Sequence, residues 1–167
     1  MERIDLYLSL GSNLGDRRQN ILDAVKALEA AFGKRCTARS PLIETAPWGP
    51  GVTAPFLNAC ARWQLVREAD AAAQAHAILA VCQGVERRLG RSAVPLFDAD
   101  GQRVYHDRPI DIDILFFGAE TIDSETLTVP HPLIAQRDFV LIPLRQIAKA
   151  SLKRTFPEFF TPKPIAI

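Results

Sequence analysis

Cysteine and histidine are both scarce in this sequence, at three residues each. Cys36, Cys60 and Cys82 are widely spaced and odd in number, and His76, His106 and His131 fall in no zinc-like spacing. Neither a disulfide framework nor a structural zinc site is expected. An excess of either charge is missing too. With 20 Lys and Arg against 19 Asp and Glu the net charge is +1, so no broad field exists for nucleic acid or an anionic membrane, and any anion must be bound locally. Nowhere do about 18 apolar residues run together. The opening "MERIDLYLSLGSN" carries charges and meets no small-residue cleavage site. A cytoplasmic protein is therefore expected, with neither nucleic acid nor membrane as a partner. Repeats, low-complexity tracts and linkers are absent as well. Across 167 residues, 48% apolar and 23% charged, this fits one globular domain, 1–167.

What is present begins with "IDLYLSL", Ile4 to Leu10, which alternates as a strand does. "GSNLGD" then supplies turn residues and N-caps, and is read as a turn and cap without ligand contact. A helix is predicted from about Asp16 to Phe32, with Ile21, Val25, Leu28 and Phe32 at helical spacing and Gly33 as its stop. "RCTARSPLIETA" reads as extended, interrupted by Pro41. Phe56 to Val66 is the cleanest strand. Leu57, Ala59, Ala61, Trp63 and Leu65 share one face, expected to be core, while Phe56, Asn58, Cys60, Arg62 and Gln64 share the other, expected to be partly wet. A second helix spans about Glu68 to Leu89, followed by an irregular stretch to Arg108 that reads as a mobile or functional loop. Next come the strand "RPIDIDILFFG", a hairpin in "GAETIDSETLTV", a closing helix in "PHPLIAQRDFVLIPLRQIA" and a Pro-punctuated tail, 155–167. The order strand, helix, strand, strand, helix, strand predicts an α+β, ferredoxin-like βαββαβ core. Its antiparallel sheet is expected to carry helices on one side and to place the Asp-bearing strand beside the first.

The chemistry concentrates in that strand. Asp111, Asp113 and Leu115 share one face and Ile110, Ile112 and Ile114 the other. Asp is depleted in strands, and two like charges on one face gain nothing unless something cationic lies near them. Arg91, Arg103, His106 and Arg108 flank the pair. Carboxylates that hold Mg²⁺ together with substrate phosphates, and arginines that neutralise a moving phosphoryl group, are the mixture phosphoryl transfer requires. Two Mg²⁺ ions about 4 Å apart would fit between the acids and relieve their repulsion. Asn58, inside a strand, carries a donor and an acceptor suited to a heterocycle's edge.

With these residues in hand, the chain resembles the 6-hydroxymethyl-7,8-dihydropterin pyrophosphokinases of folate biosynthesis. The resemblance runs from about Ile4 to Ala148, a core of about 4–148, through "SLGSNLGD", "ETAPWGP", "FLNA", "RPIDIDILFFG" and "LTVPHPLIAQRDFVLIPLRQIA" in the family's order. It implies transfer of the β,γ-diphosphoryl unit of ATP to the pterin's hydroxymethyl oxygen, with release of AMP. It assigns Asp111 and Asp113 to two Mg²⁺ ions, and Arg91 and Arg108 with them to catalysis. Gln83, Glu86, Arg91, Arg108, Ile112, Thr128, His131 and Arg137 fall to the nucleotide. Thr45, Ala46, Trp48, Phe56, Asn58 and Phe139 fall to the pterin, the two phenylalanine rings sandwiching the heterocycle and Asn58 reading its edge. ATP and the pterin are the expected partners, the enzyme a monomer, and 47–55 and 92–107 its closing loops. Three departures stand out. Where the family usually carries aromatic-Gly-Pro-Arg, this chain reads "YHDR", Tyr105 to Arg108, behind a longer loop containing "DADG". Phe56 replaces a common Tyr, and Pro132 a common aromatic.

Two other readings stay open at this level. Paired acids on a ferredoxin-like sheet also occur in the palm of polymerases and nucleotidyl cyclases, against which the missing basic groove argues. A catalytically silent pterin-binding module is the second, and the retained acids oppose it.

Overall fold

The computed structural model describes residues 1–47, 49–91, 96–104 and 106–161. Trp48, Tyr105, the side chain of Arg103 and the end of the Pro-rich tail lie outside them. Strand β1 (Arg3–Ser12) leads into helix α1 (Arg17–Phe32). The Asp16 carboxylate caps that helix by accepting the Gln19 N–H, and Gly33 at φ 64° ends it in the left-handed conformation that glycine adopts without steric cost. Pro41 splits the next extended stretch into β2 (Ala38–Arg39) and β3 (Ile43–Thr45), both paired with β4 (Phe56–Val66). Helix α2 (Ala71–Arg88), capped by Asp70, follows. The irregular stretch contains a small hairpin of β5 (Leu96–Phe97) and β6 (Arg103–Val104), which periodicity did not foretell. Strand β7 (Asp111–Phe117), the hairpin β8 (Ile122–Asp123) and β9 (Thr128–Val129), helix α3 (Asp138–Ile147) and helix α4 (Ala150–Thr155) complete the order.

The main sheet is antiparallel, in the order β2, β4, β1, β7, with β3 also on β4. The Asp-bearing strand does lie beside the first, as the ferredoxin-like order requires. Helices cover both faces of the sheet, not the single face expected. Leu6, Leu8 and Leu10 of β1, Trp63 of β4 and Ile112 and Ile114 of β7 pack against Ile21 and Leu28 of α1 and Ile78, Cys82 and Val85 of α2. The opposite face is covered as well: Tyr7, Cys60, Leu115 and Phe116 pack against Val140, Leu141, Leu144 and Ile147 of α3 and Leu152 of α4. Arg62, on the β4 face expected to be partly wet, is half-exposed, and its guanidinium donates to the Ile147 carbonyl at the end of α3. The apolar half of β7 follows from this, because a strand covered on both faces loses its polar alternation.

One irregularity decides which way the acids point. Tyr7 pairs with Phe116 but Leu8 pairs with Ile114, so Leu115 is an extra, bulged residue. Leu115 and Phe116 both reach the α3 side, and Phe117 returns to the α1 and α2 side.

Candidate active site

The site lies on the α3 face of the sheet, beyond the end of the second core. Register places Asn58 of β4 opposite Gly11 of β1, and Gly11 opposite Asp111 of β7. One row further on stand Cys60, Ser9 and Asp113. With strands about 4.8 Å apart, Asn58 and Asp111 begin about 10 Å from one another with no side chain between them. Gly11 is needed there for a packing reason: a Cβ would meet Asn58 Oδ1 at 2.7 Å.

A pocket opens over this row, lined by Thr45, Ala46, Phe56, Asn58, Arg108, Asp111, Arg137 and Phe139. It holds about 320 Å³ of empty space, counting its mouth. Asn58 is buried, and its Nδ2 donates to Thr45 Oγ1 at 2.7 Å, which fixes the amide's orientation. The Arg108 guanidinium sits 5.1 Å from the centre of the Phe56 ring, and that of Arg137 5.5 Å from the Phe139 ring. Each ring therefore carries a flat cation at stacking distance.

Beside the pocket the acids are set among arginines. Arg91 Nη1 donates to Asp111 Oδ1 at 2.6 Å and also pairs with Glu86 of α2, while Arg108 Nη2 reaches Asp111 Oδ2 at 3.3 Å. Arg137 Nη1 stands 3.6 Å from Asp113 Oδ2, and His131 Nε2 stands 3.9 Å from the same oxygen. Three carboxylates thus face three guanidiniums. The chain's own cations meet Asp111 closely and Asp113 only at a distance, so the repulsion within the pair is relieved on one side alone.

The two acids are nevertheless unlike. Burial alone would raise the Asp111 carboxyl; Arg108 and Arg91 outweigh it and hold it below the ordinary carboxylate range. Asp113 is pushed up, first by burial and then by the charge of Asp111, and its own cations stand too far off to compensate. Burial and the nearby Arg137 also push the His131 imidazole down to about 4, and its Nδ1 accepts the Leu133 N–H at 3.1 Å. His131 is therefore a neutral ring at pH 7, with its proton on Nε2 facing Asp113.

Magnesium keeps waters and substrate phosphates among its ligands, so two carboxylates are a sufficient protein donor set. Among the described residues no three His, Cys, Asp or Glu side chains are grouped to hold a metal by themselves. Asp113 fits a cation: its side chain is 30% exposed and carries negative charge its neighbours leave uncompensated. Asp111 fits if Arg91 and Arg108 turn toward an incoming triphosphate.

The described residues that the sequence assigned to the pterin, Thr45, Ala46, Phe56, Asn58 and Phe139, all line one pocket. Trp48 lies outside the described residues. Arg91, Arg108, Arg137, His131, Glu86 and the backbone of Ile112 join the two acids, the Ile112 N–H being bound by Glu86. Gln83 is exposed on α2 one turn before Glu86, and Thr128 pairs with Asp123 on the hairpin; neither lines the pocket. Sequence reading missed Gly11, Asn13 and Asp107. Asn13 is 4% exposed and accepts the Arg108 N–H at 2.6 Å, a role that only the fold reveals.

Residues 7–149 match the model of the 7,8-dihydro-6-hydroxymethylpterin-pyrophosphokinase family. The chain belongs to this family. It is 42% identical over 144 residues to the 2-amino-4-hydroxy-6-hydroxymethyldihydropteridine pyrophosphokinase of Porphyromonas gingivalis, an overlap of 86% of this chain and 90% of that one. The enzyme of the same name from Methylorubrum extorquens is 37% identical over 142 residues, 85% of this chain and 81% of its own. Among solved structures, an HPPK-DHPS protein crystallised in complex with substrates shares the fold at a TM-score of 0.62 and 14% identity. The overlap is 95% of this chain and 44% of that one. The family match takes in most of the chain, and the pocket and the acid row lie within it.

Proposed function

We propose that this chain transfers the β,γ-diphosphoryl unit of ATP to the hydroxymethyl oxygen of 6-hydroxymethyl-7,8-dihydropterin, yielding the pterin diphosphate and AMP in folate biosynthesis. One observation carries the reading: a pocket lined by Phe56, Asn58 and Phe139 extends across Gly11 to Asp111, with Asp113 one row further on and both carboxylates ringed by arginines. Membership of the pyrophosphokinase family supports it.

In this reading Phe56 and Phe139 stack on the pterin while Asn58, held by Thr45, reads its edge; Ala46 lines the same pocket, and Trp48 is assigned to the pterin as well. Asp111 and Asp113 hold two magnesium ions, which when bound neutralise the triphosphate and bring it to the alcohol. Arg91, Arg108 and Arg137 exchange their carboxylate partners for phosphate oxygens, and neutral His131 offers its Nε2–H. Gln83, Glu86, Ile112 and Thr128 complete the nucleotide side. The alcohol oxygen bonds to the β-phosphorus as that phosphorus parts from the oxygen AMP keeps. No side chain stands out as a base, so rate comes from positioning and charge neutralisation, and the alcohol's proton leaves to solvent.

The unit that acts is 1–167 as a monomer in the cytoplasm, on small molecules alone. All three cysteines are free thiols, which suits a reducing compartment. No described helix is long and apolar enough to cross a membrane.

The test is to mix the protein with ATP, Mg²⁺ and the pterin and identify products by mass. AMP with a pterin diphosphate supports the reading. Pyrophosphate released without pterin would place the chain with cyclases or polymerases, and binding without turnover would make it a silent module.

A further inference from the structure

Asp107 stands immediately before Arg108, where the family's usual pattern has proline, and its carboxylate accepts hydrogen bonds from two distant parts of the chain. Oδ1 accepts the Thr53 N–H at 2.8 Å, the Ala54 N–H at 3.3 Å and Asn13 Nδ2 at 2.9 Å; Oδ2 accepts the Thr53 hydroxyl. Asn13 closes the arrangement. Its Nδ2 also donates to the Ala54 carbonyl at 3.0 Å, its Oδ1 accepts the Arg108 N–H, and its own N–H donates to the Arg108 carbonyl at 3.1 Å. Three segments are gathered on two side chains: the end of β1, the residues just ahead of Phe56, and the backbone that aims Arg108.

We propose that Asp107 is a positioning residue, a latch that fixes Thr53 and Ala54 and so sets both walls of the pocket, the Phe56 ring and the Arg108 guanidinium stacked on it. Proline at this position could accept none of these bonds through its side chain. The same donors, Thr53 foremost, hold the Asp107 carboxyl down to about 2, so it is charged at neutral pH. Arg17, which donates to the Pro55 carbonyl at 3.1 Å, anchors the loop independently, so losing the latch loosens the pocket wall without unfolding the sheet. The role rests on taking the pocket of Phe56 and Phe139 as the pterin site.

Asp107→Ala and Asp107→Asn separate the possibilities, because an asparagine can still accept from both N–H groups and from Asn13 while donating to the Thr53 hydroxyl. In Asp107→Ala, amide exchange at Thr53 and Ala54 is expected to quicken about tenfold and KM for the pterin to rise about tenfold, with a smaller rise in KM for ATP because the Arg108 backbone keeps its two bonds to Asn13. Asp107→Asn is expected to restore both. Thr53→Val, which removes one donor, should fall between. Unchanged exchange at Thr53 and Ala54 in a folded Asp107→Ala protein would overturn the latch, as would equal loss of both substrates. Failure of Asn58→Ala to weaken pterin binding would instead overturn the pocket assignment, leaving the exchange measurement to judge the latch.

Discussion

Glu86 of α2 accepts the backbone N–H of Ile112 at 3.0 Å, fastening the helix to β7 at the one residue that separates Asp111 from Asp113. A carboxylate oxygen does this while also holding Arg91. The helix thereby fixes the pitch of the strand that carries both acids.

Glu86→Gln retains an acceptor for Ile112 and should keep wild-type stability in urea melts, because only the charge is lost. Glu86→Ala leaves that N–H and Arg91 without their partner and should cost about 1–3 kcal/mol. Its kcat should fall more steeply than its pterin affinity, since the acids move while Thr45, Phe56, Asn58 and Phe139 keep their places. Equal stability of the two variants would remove the helix from this role.

Asp113→Asn should abolish turnover, by a factor of about 10³ or more, and leave pterin binding nearly intact. It should also stabilise the protein without metal at high pH. The raised carboxyl, at about 7 against an ordinary 3.8, means that the folded state holds a proton the unfolded chain has lost. That contribution is fully present below about pH 4 and disappears as pH climbs through about 7. Urea melts in a chelator should therefore show the variant gaining on the wild type between pH 5.5 and 8.5, by about 1–2 kcal/mol at the upper end. A constant difference across that range would show that Asp113 titrates normally.

Protons and magnesium should compete for the same carboxylate. Calorimetry with a nonhydrolysable ATP analogue is expected to show uptake only with a divalent cation, weakening as pH drops below about 7 and releasing a proton on binding at pH 6. Uptake of the analogue without a divalent ion would transfer the phosphate site wholly to the arginines.

Gly11→Ala tests the row between pocket and acids. A methyl group 2.7 Å from Asn58 Oδ1 must displace the amide, so pterin affinity should fall about tenfold or more while nucleotide affinity holds. Titrating each ligand separately reads the split.

Where local pattern sets the structure, the sequence revealed it. The Phe56 to Val66 strand, the Asp16 cap, the Gly33 stop and the common face of Asp111 and Asp113 all follow from periodicity and turn chemistry, and all are present. The second covering layer was hidden because Asn58, Arg62 and Gln64 make that face of β4 look solvated, yet Cys60 between them is wholly buried beneath α3. Arginine partners were equally out of reach, since nothing in spacing says that Arg91 and Arg108 would take Asp111 and leave Asp113 to Arg137. Asn13 and Asp107 meet across 94 positions, a separation at which no local rule operates.

The bulge at Leu115 lets β7 answer to two different neighbours. Alternation is a parity rule, and one surplus residue reverses parity for everything beyond it. The acidic end can thus keep its carboxylates on the pocket side while Phe116, an even-numbered residue, fills the hydrophobic interior on that same side. Were Leu115 paired regularly with Tyr7 instead, Phe116 and Phe117 would exchange compartments, and the strand could no longer satisfy chemistry at one end and packing at the other.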